Sequence, residues 1–325
     1  MISLSMRTIL KFLSLSIFLM ISACGQRTSK ERDTQLFRAF PKAIPPAMMQ
    51  DRGEMSEWMS QHFWEAFLSD AGKYTCDSSH VAGVAASELD QQMANYMYVL
   101  DMVPVEVARK AVAGLSEKVE ATEISDTSCT VFEAFRKLCE KYMYDPNSPL
   151  RNEDLFQPFA QMLSTSRFLT EAERERFAYI SQKSNLNRVG TKAADFRFCD
   201  RRGREYTLYG IKADYTLLFF SNPGCNSCME IINGLKSMPK VSDMIRTGRM
   251  AVLNIYIDED IQNWRDYMPV YPEEWYNGFD PDFVLRNNEI YNVRAIPSLY
   301  LLDAQKTVVM KDAVPDRLFN LIEKL

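Results

Sequence analysis

The sequence predicts a C-terminal α/β domain, a central mixed sheet with helices on both faces, preceded by a small all-α domain. Three observations predict it. Apolar residues recur at spacings of three and four from about residue 54 to 183, as amphipathic helices require. After residue 190 the period changes, and strand-like apolar runs alternate with helical stretches. A Cys-x-x-Cys stands where one such run gives way to a helix. Strand–helix–strand units with short connections build a sheet flanked by helices. A chain of 325 residues also exceeds the usual size of one domain, so two are expected.

At the N-terminus, Arg7 and Lys11 precede the apolar run 12–21. That run is too short to span a bilayer, which takes about 20 apolar residues, and it fits the core of an export signal. Ile21-Ser22-Ala23-Cys24 resembles the lipobox of bacterial lipoproteins, in which the cysteine becomes the lipidated N-terminus. The expectation is a signal peptide over 1–23, lipidation at Cys24 and a polar tether over 24–42. The protein would then be lipid-anchored in the cell envelope, facing the periplasm or the outer surface.

The helical domain is expected over 43–184. Met55, Trp58, Met59, His62, Phe63 and Phe67 form one apolar stripe, and Leu89, Met93, Tyr96, Met97 and Leu100 another. Pro104 stands where a helix over about 105–118 begins. Val131, Phe135, Leu138, Cys139 and Tyr142 mark a further helix, and the prolines at 146 and 149 break it. Asn152 is placed to cap the next helix, and Thr170 with Glu173 forms a capping box for the last. Residues 185–190 read as a linker opening the α/β domain, 185–325. There, 194–199 and 205–209 read as a hairpin around the turn 200–203. Tyr215–Phe220 is continuously apolar, as a buried parallel strand is. A helix to about Leu235, a strand over 250–257, a helix ending near Tyr267, a hairpin of 298–302 with 308–311, and a final helix over 316–325 complete it.

Composition excludes some functions. Net charge is −5 with no run of Lys or Arg, so nucleic acid is not an expected partner. Of seven cysteines, Cys24 is assigned to lipid and Cys225 with Cys228 to the Cys-x-x-Cys. The other four, Cys76, Cys129, Cys139 and Cys199, are read as buried free thiols, although an exported protein can form disulfides. Zinc needs four ligands, and the two histidines, His62 and His80, lie in the helical half, so no metal is expected. Met229 follows Cys228 where haem attachment needs a histidine. Asn222 and Leu218 stand where a peroxidase of the peroxiredoxin type has Thr and Pro. With no histidine in the α/β domain, a Ser/His/Asp hydrolase is excluded as well.

Cys225-Asn226-Ser227-Cys228 follows a buried strand and opens a helix, which gives a thiol the positive end of the helix dipole and unpaired N–H groups. Cys225, at the tip, is the expected attacking thiolate, and Cys228, one turn in, the resolving thiol. Some seventy residues on, Ala295-Ile296-Pro297-Ser298 precedes another apolar strand. With these two motifs the sequence from about 190 to 325 resembles the thioredoxin superfamily, in particular envelope reductases related to TlpA and ResA. The resemblance implies a cis Pro297 beside Cys225, with Ile296 presenting its backbone to substrate and Pro223 also on the substrate side. It further implies thiol–disulfide exchange that reduces disulfides in protein substrates, an unidentified redox partner, and no cofactor beyond the Cys225–Cys228 disulfide.

Three positions depart from that family. Gly224 replaces the tryptophan before the first cysteine, Phe219 the buried acid, and Ile231 the glutamate after the second cysteine. Glu230, Asp258 or water are left as proton acceptors for Cys228. The helical half, with 144–151 and 190–196, looks like a domain of unknown function that precedes such domains in bacterial lipoproteins. The rival reading is a binding or scaffold lipoprotein that grips a partner through its Met- and aromatic-rich helices, with a non-catalytic Cys-x-x-Cys.

Overall fold

The computed structural model describes residues 36–127 and 130–325; the expected signal peptide, Cys24 and Cys129 lie outside the described residues. The helical part comprises α1 (Arg52–His62), α2 (Glu65–Ser69), α3 (Ala86–Asp101), α4 (Val105–Ser125), α5 (Val131–Cys139), α6 (Glu153–Leu163) and α7 (Glu171–Ser184), with a two-residue hairpin of β1 (His80–Val81) and β2 (Val84–Ala85) before α3. Local chemistry sets the helix ends. Asp51 and Asn152 accept from the amides of Glu54 and Leu155, and Thr170 with Glu173 makes a full capping box. The first aromatic stripe is split: α1 stops at His62, and Phe63 and Trp64 turn inward to be buried before α2 begins. The helix after Pro104 runs past residue 118 to Ser125, and α5 ends at Cys139 in one wide turn, Glu140–Tyr144.

The α/β part is a seven-stranded sheet in the order β4-β3-β7-β6-β5-β8-β9. Its strands are β3 (Arg197–Asp200), β4 (Glu205–Thr207), β5 (Tyr215–Phe220), β6 (Met250–Tyr256), β7 (Tyr276–Phe279), β8 (Ser298–Leu302) and β9 (Val308–Met310). The central strands β5, β6 and β7 are parallel and the outer ones antiparallel, which makes the sheet mixed. Side chains of β5 alternate between two cores. Leu217 and Phe219 join one face with α8 (Asn226–Ser237), α9 (Pro239–Arg246), α10 (Ile261–Tyr267) and α12 (Pro315–Ile322). Leu218 and Phe220 join the other, covered by the one-turn α11 (Val284–Asn287) and by Phe196, Leu208 and Tyr291. Helices thus flank both faces, unequally.

The two parts lie within one compact unit, Phe37–Leu325, and charged side chains join them. The side chain of Lys311, after β9, is 2% exposed. Its ammonium lies 3.0 Å from Glu153 and 3.3 Å from Asp154, themselves 1% and 2% exposed, and donates to the carbonyls of Ser184 and Leu186. Arg294 pairs with Glu153 (3.3 Å) and Asp312 (2.7 Å), donates to the Tyr144 carbonyl and stacks over the Tyr144 ring. Buried charges hold only when their partners are present.

Burial pushes the Glu153 carboxyl up to about 7, with Lys311 and Arg294 pulling it back. The folded protein therefore binds this proton more tightly than the unfolded chain, whose carboxyl keeps its ordinary value near 4.5. The resulting stability is complete below the unfolded value and is lost as pH rises through about 7. Thermal melts are expected to show a melting temperature falling from pH 6 to pH 8, by less in Glu153→Gln. An equal fall in both proteins counts against this assignment.

Four free thiols were expected, and Cys76 corrects that expectation: it is disulfide-bonded. It stands in the irregular stretch before β1, partly buried against the helical core, and its sulfur accepts from the Ala82 amide at 3.1 Å. Cys139 and Cys199 are free and buried, and burial pushes both thiols up, away from reactivity.

Candidate active site

β5 delivers the chain from the middle of the sheet into the loop 221–224, and α8 carries it away. Ser221 still belongs to the sheet, its amide donating to the Ile255 carbonyl. Gly224 has φ +73°, and a Cβ added there would meet nothing within 4 Å. The demand at this position is conformational: the left-handed turn that aims Cys225 at the helix suits glycine rather than the tryptophan of related proteins.

Cys225 is the N-cap of α8, and its sulfur accepts from the Cys228 amide at 3.1 Å. A twelve-residue helix thus turns its unpaired amides and positive dipole end toward this sulfur. The two cysteines are joined, with Cα atoms 5.2 Å apart. Cys228 is 2% exposed while Cys225 is only partly buried, so a partner meets Cys225 first.

The Ile296–Pro297 bond is cis. Ile296 and Pro297, both half-buried, line with Ser227 a groove of about 510 Å³ beside the pair. Pro223 stands in the loop before Gly224, also half-buried. The candidate proton acceptors separate. Glu230 is exposed and lines the groove, whereas Asp258 accepts from Asn222 (2.6 Å) and faces Arg286 (3.7 Å). His62 and His80 stay in the helical part. Among the described residues no group of three or more His, Cys, Asp or Glu is placed to hold a metal.

Two sets of residues around the site escape sequence reasoning. Beneath the Cys-x-x-Cys loop runs a buried polar chain: Ser221 donates to Asn254, Asn254 to Asn277 (3.0 Å), and Asn277 to the Pro272 carbonyl (2.7 Å). The one polar residue in the apolar strand Met250–Tyr256 was its signal. The second set comes from the helical part. Pro146, Asn147 and Arg151 also line the groove, and nothing in their sequence ties them to residues some eighty positions on.

With this geometry established, comparison with known proteins decides the family. A thioredoxin-like protein from Bacteroides caccae, of known crystal structure, is 33% identical, with a TM-score of 0.75, 89% of this chain covered and 99% of that one. The chain belongs to the thioredoxin-like family. Its residues 22–187 match a domain of unknown function, DUF5106, so the helical part of this thioredoxin-like protein carries a family label without an activity. The C-terminal domain of an uncharacterized Bacteroides fragilis protein is 42% identical over 42% of this chain and 98% of that one (TM-score 0.41). Structural neighbours also include proteins named as thiol–disulfide oxidoreductases. One is a thioredoxin domain from Bacteroides vulgatus, 21% identical over 42% of this chain and 96% of that one (TM-score 0.38). No curated protein matches.

Proposed function

We propose that the protein performs thiol–disulfide exchange in the cell envelope, reducing disulfides of protein substrates, and is held there by lipid on Cys24. The observation that carries the chemistry is the asymmetric pair: an accessible sulfur at a helix N-terminus joined to a buried one a single turn away. The envelope location is supported by the charged flank, the apolar run and the small-residue cleavage pattern before Cys24.

In the reduced protein the helix N-terminus favours the Cys225 thiolate. It attacks one sulfur of the substrate disulfide, so the Cys225–substrate bond forms as the substrate S–S bond breaks, and the leaving thiolate takes a proton from water. Cys228, once deprotonated, attacks the Cys225 sulfur and releases the second substrate thiol. Two electrons pass to the substrate, and the protein is left with the Cys225–Cys228 disulfide. A separate dithiol donor restores it by the same steps in reverse.

The test is a trap. Cys228→Ala removes the resolving sulfur, so the mixed disulfide on Cys225 is expected to accumulate in envelope preparations and to dissolve under reductant. If Cys225 captures no protein, the reading loses its support, and a binding lipoprotein with a silent Cys-x-x-Cys takes its place. Fractionation of Cys24→Ser tests the anchor: the variant is expected to leave the membrane fraction.

A further inference from the structure

We propose that residues 146–151 of the helical part select the substrate, by walling the groove beside the redox pair so that it takes an extended polypeptide segment bearing basic side chains near its disulfide. The proposal rests on exchange at Cys225 and adds what that exchange acts on.

Pro146, Asn147 and Arg151 line this groove together with Ser227 and Glu230 of α8. The wall is fixed in place. The Asn147 amide donates to Asp145 (2.8 Å), the Ser148 hydroxyl to the Tyr142 carbonyl (2.9 Å), and the Arg151 guanidinium to Asp312 (3.3 Å) and the Ala313 carbonyl (3.5 Å) beyond β9. Pro146 and Asn147 themselves are exposed. A small disulfide needs to reach only the Cys225 sulfur. A polypeptide disulfide brings chain on either side of it, and the groove between Pro297 and this wall, reached past Ser227, is open to that chain.

Charge says which polypeptide fits. Glu230 and Asp316 both line the groove and are exposed. Among the described residues that line it the one cation is Arg151, whose side chain is 13% exposed and already paired with Asp312. The two carboxylates therefore set the field in the groove, and lysine or arginine next to the substrate disulfide complements it.

The test uses the reduced full chain and two synthetic peptides, each with one disulfide and identical except for flanking lysines or glutamates. The neutral disulfide 2,2′-dithiodipyridine reports reaction without chain contacts. The wild type is expected to reduce the lysine peptide about five- to tenfold faster in kcat/KM at low salt, the size two exposed ion pairs supply, and the gap closes as salt rises. Asp316→Lys is expected to shrink that preference severalfold. Asn147→Trp, which sets an indole in the groove, is expected to lower the ratio of peptide rate to dithiodipyridine rate about tenfold. Asp316 and Asn147 lie on separate elements, so either variant decides if the other does not fold. Equal rates for the two peptides in the wild type, or an unchanged ratio in Asn147→Trp, overturn the proposal. A wild-type protein that reduces neither peptide nor dithiodipyridine instead defeats the exchange reading on which it rests.

Discussion

Cys225→Ser is expected to bring disulfide reduction down to background, on the order of a thousandfold or more, because the attacking thiolate is removed rather than weakened. Cys228→Ser is expected to behave differently. It keeps the accessible sulfur at the helix N-terminus, so the first attack survives while turnover stalls at the mixed disulfide. The distinction follows from exposure, since Cys228 is 2% exposed and cannot meet a partner directly. Alkylation of Cys225 in the Cys228→Ser background, followed against pH, is expected to titrate well below the ordinary thiol value of about 8.5, as a sulfur capping a helix does. A midpoint at or above that value, or full turnover in Cys225→Ser, contradicts the assignment of the nucleophile.

Arg294→Ala is expected to cost about 3–5 kcal/mol of folding stability, read from denaturant unfolding, because it removes one partner from a buried charge network. The guanidinium contacts Glu153, Asp312, the Tyr144 carbonyl and the Tyr144 ring, and its own side chain is 10% exposed. Without it Glu153 must share Lys311 with Asp154, and Asp312 has only Arg151 at 3.3 Å, so buried carboxylates lose part of their compensating charge. Arg294 also lies three residues before Pro297, in the segment that forms one side of the groove. Disulfide reduction by the folded fraction is therefore expected to fall as well. A loss below about 1 kcal/mol, the range of exposed pairs, shows that the network does not hold the two parts together.

The elements legible in the sequence are those whose signals are local. The apolar run Tyr215–Phe220 marks the central strand, Thr170 and Glu173 the start of α7, and Cys-x-x-Cys at a strand–helix junction the redox pair. What escaped is set by contacts distant in sequence. Tyr276–Phe279 carries Asn277 and Gly278, neither favoured in strands. Yet it is β7, because a Cβ at residue 278 would stand 2.5 Å from the Phe198 ring, so only glycine lets β3 and β7 close over that side chain. α9, a short helix started by Pro239, lies in the stretch between about Leu235 and residue 250 to which the sequence assigns no element, and it follows α8 after a single residue, Met238. The split between α1 and α2 was hidden by an aromatic stripe that keeps its spacing through the turn. The helical wall of the groove was invisible for a different reason. Asn147 resembles any polar loop residue until the fold sets it opposite Ser227 and Glu230.

Lys311 reaches across to Glu153, Asp154 and two carbonyls at the end of α7, leaving almost none of its side chain in water. That seam bears on how such a gene diversifies. A recombination that joins the helical half of one homologue to the sheet of another must carry across an acid–base match at several buried positions at once, and a single mismatch strands a charge in the interior. The halves are therefore expected to be inherited as a matched pair, with drift concentrated in the exposed rim around residues 146 and 147, where new cargo preferences arise without disturbing the seam.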